Sequence, residues 1–180
     1  MINKDFKRRR DFLLSKIEDN SIVFLFSGLE KSRNNDVNYK FRQSSNFYYL
    51  TGINNPSMLL IITKISSRHS TTLVCDRPND IDKIWHGQLP SKSSYKKEFE
   101  IQNVLYFDEL NSLELNDVKN MYFEFADENR LDQFIQNLNL SQPQSRYLRN
   151  NTSRSTKIDL SNLIFDMRRI KSKSEVSLIR

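Results

Sequence analysis

Apolar and polar positions alternate along the chain in blocks that change period. From 5 to 17, Phe6, Leu13, Leu14 and Ile17 recur at helical spacing with Lys and Arg between them, which predicts an opening amphipathic helix. Short apolar runs rich in β-branched and aromatic residues then predict strands at 21–26, 58–63, 71–75, 104–107 and 121–125, with 58–63 central in the sheet. Between them, 80–85, 95–99, 109–115 and 129–138 have helical character, the last through Leu131, Phe134, Ile135 and Leu138. Strands alternating with helices predict a layered α/β fold, a mixed β-sheet of five or six strands flanked by helices on both faces.

The stretch 29–38 is rich in Ser and Asn and reads as a loop. The stretch 140–157 is polar, contains Pro143 and reads as a surface connection, after which 160–170 resumes a helical pattern through Leu163, Ile164 and Met167. Ser172 followed three residues later by Glu175 is a capping-box signature and predicts a new helix from about Ser174. The chain stops within that helix, which predicts that the sequence is part of something longer.

Composition narrows the function classes. The 180 residues hold 28 basic and 22 acidic side chains, for a net charge of +6, and mean hydropathy is −0.65. One domain with a genuine core is expected at this length. The apolar runs, 58–62 among them, have strand length rather than membrane-span length, and the charged N-terminus carries no secretory signal, so a cytoplasmic protein is expected. One Cys excludes a disulfide scaffold or thiolate metal site. The basic excess sits at the two ends: residues 1–10 and 168–180 each carry +4, leaving the body at −2. Terminal helices with solvated basic faces explain this better than a nucleic-acid surface.

Catalytic and metal-binding patterns are sparse. His69 and His86 stand seventeen residues apart with no HExxH motif, and Gly28, Gly52 and Gly87 are isolated, so no phosphate loop is present. Cys75 ends an apolar strand and reads as a buried structural thiol. The carboxylate pairs Asp80 with Asp82 and Glu98 with Glu100 read as exposed charge. The most informative segment is 34–62, where Tyr39, Phe41, Phe47, Tyr48 and Tyr49 surround Arg42, Gln43 and Asn46 before Gly52 and Pro56 lead into a strand. From the residues alone, the aromatics are core, and Arg42 and Gln43 satisfy buried backbone groups.

That segment resembles the N-terminal domain of aminopeptidase P, the Xaa-Pro aminopeptidase branch of the creatinase and prolidase superfamily. Its pattern is carried by Asp36, Tyr39, Phe41, Arg42, Gln43, Ser45, Phe47, Tyr48, Tyr49, Thr51, Gly52 and Pro56. The opening FKRRRDFLLSKI, the IWHG at 84–87 and the closing MRRIKSKSEVSLIR are similar to three further motifs of the family, in the same order. Matching is weak between about 90 and 157.

The resemblance implies a three-layer creatinase-type domain of ribonuclease H-like arrangement over 1–171, with 172–180 starting the helix that leads to a catalytic domain not contained in this chain. It implies that this chain alone is not an enzyme. The parent would be a metalloaminopeptidase that removes an N-terminal residue preceding proline, using two divalent metal ions, manganese, held in the other domain. Implied partners are that catalytic domain, further copies in a homodimer or homotetramer, and proline-containing peptides, with no nucleic acid and no membrane. Trp85 and Asp36 are the implied substrate-binding positions, lent to a neighbour's active-site mouth. A Trp would offer a rigid apolar wall, and an Asp would favour the substrate ammonium. Trp85 as a partly buried helix-end residue and Asp36 as a turn-forming residue remain open alternatives. Arg146 or Arg149 would correspond to a family arginine near the site, without a defined alignment. His86 carries no implied role. The alternative function is that of a catalytically dead protein-binding module of the same fold, as in histone chaperones.

Overall fold

The structure is a computed structural model and describes residues 2–34, 37–78, 90–112, 118–141 and 155–179. Helix α1 (Ile2–Lys16) precedes strand β1 (Ser21–Phe26), and a small hairpin of β2 (Ser32–Asn34) and β3 (Val37–Asn38) leads to α2 (Ser45–Thr51). Strands β4 (Leu59–Ile65) and β5 (Arg68–Cys75) follow, then α3 (Lys92–Phe99), β6 (Asn103–Tyr106) and a 3-10 turn over Phe107–Ser112. Strand β7 (Asn120–Phe123), a 3-10 turn over Phe125–Asp127, α4 (Glu128–Ser141), β8 (Thr156–Asp159), α5 (Ser161–Arg169) and α6 (Lys173–Ile179) complete the described elements.

Six strands form one mixed sheet in the order β6-β5-β4-β1-β7-β8. β4 is antiparallel to both β1 and β5, while the β5–β6, β1–β7 and β7–β8 pairs are parallel. β4 and β1 lie at the centre, as the apolar run at 58–63 predicts. Period-2 alternation explains the two cores. Val23, Leu25, Leu60, Ile62 and Leu73 point to a face covered by α1, α2, α3 and α5, which contribute Leu13, Phe47, Tyr95 and Ile164. Ile22, Phe24, Leu59, Ile61 and Phe123 point to the other face, covered by Leu131 and Phe134 of α4. Each such fully buried side chain contributes about 1.5–3 kcal/mol.

The turn between β4 and β5 is the two-residue loop Ser66–Ser67, with φ of 49° and 62°. Two left-handed residues suit the twist of a tight hairpin. No Gly or Asn announces that turn.

Several elements differ from the expectations. The loop at 29–38 contains the exposed β2–β3 hairpin. The aromatic segment forms α2, started by Ser44, whose hydroxyl accepts from the Phe47 N–H, and ended by Gly52 at φ 74°. A side chain at Gly52 would overlap the Phe6 ring, so α1 packs directly on this glycine. The last part of the polar connection is edge strand β8, parallel to β7. The segment expected to be helical at 80–85 lies outside the described residues. The 3-10 turn takes the place of the first residues of the helix expected at 109–115.

Candidate functional site

Asp36 and Trp85 both lie outside the described residues, but the structure places the roots of their segments together. Asp36 falls between β2 and β3 in sequence, in a hairpin whose base runs from Glu30 to Lys40 and Phe41. The segment containing Trp85 leaves at Pro78 and returns at Pro90. Glu30, Lys40 and Phe41 at the hairpin base line a single cavity of about 450 Å³ together with Pro78 and Pro90. Its floor includes Met58 of the central sheet edge, Cys75, and Tyr95 of α3, so it is apolar beneath and polar at the rim.

Cys75 on that floor is 5% exposed, and burial pushes its thiol up to about 11. Its Sγ faces the Leu105 carbonyl at 3.9 Å. A protonated, buried thiol is a packing group rather than a nucleophile. Tyr95 is equally buried, its hydroxyl raised well above the tyrosine range by desolvation. Lys92 at the rim is paired with Glu109 and sits 4.0 Å from the Tyr106 ring centroid. His69 lies exposed on β5 opposite Lys64, and Glu98 and Glu100 are exposed as expected. His86, Asp80, Asp82, Arg146 and Arg149 lie outside the described residues.

The motif-bearing helix α2 forms a second focus where α1 meets the α5–α6 junction. Tyr49 donates from its hydroxyl to the Met167 carbonyl at 3.0 Å. Arg9 donates to the Tyr49 carbonyl at 3.0 Å, lies 4.2 Å from the Tyr49 ring centroid, and pairs with Glu175 at 3.2 Å. Arg168 donates to Asn46 Oδ1 at 2.7 Å, and Asn46 Nδ2 donates to Glu124 Oε1 at the end of β7, also at 2.7 Å. Desolvation raises the Glu124 carboxyl, against the hydrogen bonds from Asn46 and Ser44. The expected capping box is formed: the Ser172 N–H donates to Glu175 Oε2 at 2.8 Å, and the Glu175 N–H donates to Ser172 Oγ at 3.3 Å. Ser174 also donates to Asp5 of α1.

The arginine that satisfies buried backbone groups is Arg10, not Arg42. Arg10 is 2% exposed and donates to the carbonyls of Leu50, Phe99 and Glu100 at 2.8–2.9 Å, tying α1 to the ends of α2 and α3. Arg42 is exposed, and neither it nor the Gln43 side chain has a protein partner among the described residues. Sequence reasoning missed Arg10 because one arginine in the run 8–10 looks like the next; only its helical phase, three residues before Leu13, marks it as inward-facing.

Among the described residues, no group of three His, Cys, Asp or Glu is placed to hold a metal ion. No helix among them is long and apolar enough to cross a membrane.

The sequence profile described as "Aminopeptidase P, N-terminal domain" matches residues 6–121. The Xaa-Pro aminopeptidase of Escherichia coli strain K12 is 27% identical over 180 residues, covering 98% of this chain and 41% of its own length. That of Haemophilus influenzae is 38% identical over 86 residues, covering 47% of this chain and 20% of its own. Proline aminopeptidase P II from Yersinia pestis superposes with a TM-score of 0.82 at 26% identity, over 98% of this chain and 41% of that one. Escherichia coli aminopeptidase P with the inhibitor Pro-Leu gives 0.84 at 26% identity, over 97% and 40%. The chain therefore spans about two fifths of the length of the Escherichia coli relative that it matches nearly end to end. With the profile covering more than half of its residues and the six-stranded fold in agreement, the chain belongs to the aminopeptidase P N-terminal domain family.

Proposed function

We propose that this chain is the non-catalytic N-terminal domain of a cytoplasmic, metal-dependent Xaa-Pro aminopeptidase that removes an N-terminal residue preceding proline. The observation that carries the reading is the match of nearly the whole chain to about two fifths of the length of an Xaa-Pro aminopeptidase. The described residues do not fit a dinuclear centre, since such a site requires several carboxylate and imidazole ligands converging on two ions, and no three converge here. In this reading the manganese ions are held by residues outside this chain, and this chain takes no bond-breaking step.

Its contribution is assembly and shape. The domain packs between subunits of a homodimer or homotetramer and presents Trp85 and Asp36 to a neighbour's active-site mouth. The indole walls the proline or the residue before it, and the carboxylate attracts the free ammonium of the peptide. The reading is supported by the shared cavity from which both segments arise, because two side chains serving one mouth must issue from the same side of the domain. The α1–α2–α6 junction then orients the helix that leads away from the domain.

A chimera tests this: the chain replaces the matching part of Escherichia coli Xaa-Pro aminopeptidase, and hydrolysis of an Xaa-Pro-Yaa peptide is measured with manganese. The expected chimera assembles and cleaves, with Trp85→Ala and Asp36→Asn lowering kcat/KM. A folded, assembled, metal-loaded chimera in which both substitutions leave kcat/KM unchanged would refute the mouth role. Lack of any cleavage by it would favour the protein-binding module.

A further inference from the structure

The aromatic motif leaves three donors unspent. Arg42, Gln43 and Tyr48 line a cavity of about 320 Å³ between α1, α2 and the start of α6. Their side chains have no hydrogen-bond or ion-pair partner among the described residues, and Tyr48 is 42% exposed with its ring edge-on to Phe6. The other charges around the cavity are already engaged. Asp5 accepts from Ser174 and pairs with Arg8 at 3.2 Å. Glu175 is held by Ser172 and Arg9, and Arg168 by Asn46. The cavity lining thus carries three arginines against two carboxylates, and the surplus cation is Arg42.

We propose that this cavity is a carboxylate-binding site on the domain, with Arg42 as its cation and Gln43 and Tyr48 as flanking donors. A guanidinium presents parallel N–H groups that match both oxygens of a carboxylate, and an amide and a phenol beside it add donors that an acceptor-rich group can use. The volume exceeds that of a bare carboxylate group and admits a side chain or a chain end. The ligand class is therefore a polypeptide carboxylate, borne either on an Asp or Glu side chain or on a C-terminus. The site is separate from the cavity at the roots of the Asp36 and Trp85 segments, with which it shares no lining residue.

The test is an NMR titration of the ¹⁵N-labelled 180-residue protein, following the Arg42 Nε–H and the Gln43 side-chain amide. One arm uses N-acetyl-glutamic acid α-amide, which carries only a side-chain carboxylate. A second uses acetyl-Ala-Ala, which carries only a terminal carboxylate, and a third uses its neutral amide at matched ionic strength. The expected result is a saturable shift at these two groups, in the millimolar range, with at least one carboxylate arm and not with the neutral amide. Arg42→Met should abolish it, and Arg42→Lys should weaken it by about fivefold or more, because an ammonium cannot pair in bidentate fashion. Both variants alter an exposed side chain, and the backbone spectrum verifies that each is folded. Absence of a shift, a shift reproduced by sodium chloride alone, or unchanged affinity in folded Arg42→Met would overturn the proposal. The carboxylate arm that saturates first identifies the source.

Discussion

Arg9 of the first helix reaches Glu175 of the last, 3.2 Å away, so the two ends of the chain are pinned across the edge of α2. Glu175 serves twice, as the partner of Arg9 and as the N3 residue that caps α6 through Ser172. Burial works against its ionisation, but the Ser172 hydrogen bonds and the Arg9 guanidinium hold it below the usual glutamate range. A depressed carboxyl stabilises the folded state above its unfolded pKa and loses that contribution as pH falls through its lowered folded value. Glu175→Ala should therefore loosen α6 by about 1 kcal/mol at neutral pH, raising amide exchange in Lys173–Ile179 with little change in the central strands. Wild-type α6 should approach the variant's exchange only at acid pH.

Arg10 is the polar keystone of the helical face. Its three carbonyl partners sit on two different elements, and burial lowers its guanidinium only to about 10, so it stays charged at neutral pH. Arg10→Met keeps most of the volume and leaves those carbonyls without their donor. The expected loss is about 3–5 kcal/mol, read by urea denaturation, whereas Arg8→Met at an exposed position should cost less than about 0.5 kcal/mol.

Glu124 behaves in the opposite sense from Glu175. Its carboxyl is raised, chiefly by desolvation, so the native state holds its proton more tightly than the unfolded chain does. Stability then falls as pH rises from the ordinary glutamate range through the raised value. Glu124→Gln can still accept from Asn46, so it should be as stable as wild type or more so at neutral pH and should flatten the pH profile in that window. A clear loss of stability at neutral pH would show that the charge itself is needed beside Asn46.

The buried sheet was legible in the sequence because each central strand is a continuous apolar run, and β1 matches its expected bounds residue for residue. Edge strand β8, with the sequence TKID, has no apolar run and buries Ile158 only in part, and its place comes chiefly from pairing with β7. Helix α2 escaped notice although Ser44 and Gly52 bracket it, because aromatics dominate its seven residues and conceal the period. The terminal capping box was legible because both of its partners are local. The Arg10 contacts were not, since they join residues about forty and ninety positions apart.

Trp85 separates mouth from core. The proposed mouth role requires it to be exposed in the isolated domain, so Trp85→Ala should change stability by no more than about 0.5 kcal/mol. A core indole would instead cost about 3–5 kcal/mol on truncation. Denaturant titration of the two proteins distinguishes these outcomes, and the larger loss would contradict the mouth role.

The proposed division of labour between this domain and a metal-bearing one is tested by assaying the purified 180-residue protein against an Xaa-Pro-Yaa peptide, with and without added manganese. No release of the N-terminal residue is expected under either condition. Turnover that follows the protein through purification, disappears with a chelator and returns with manganese would contradict it.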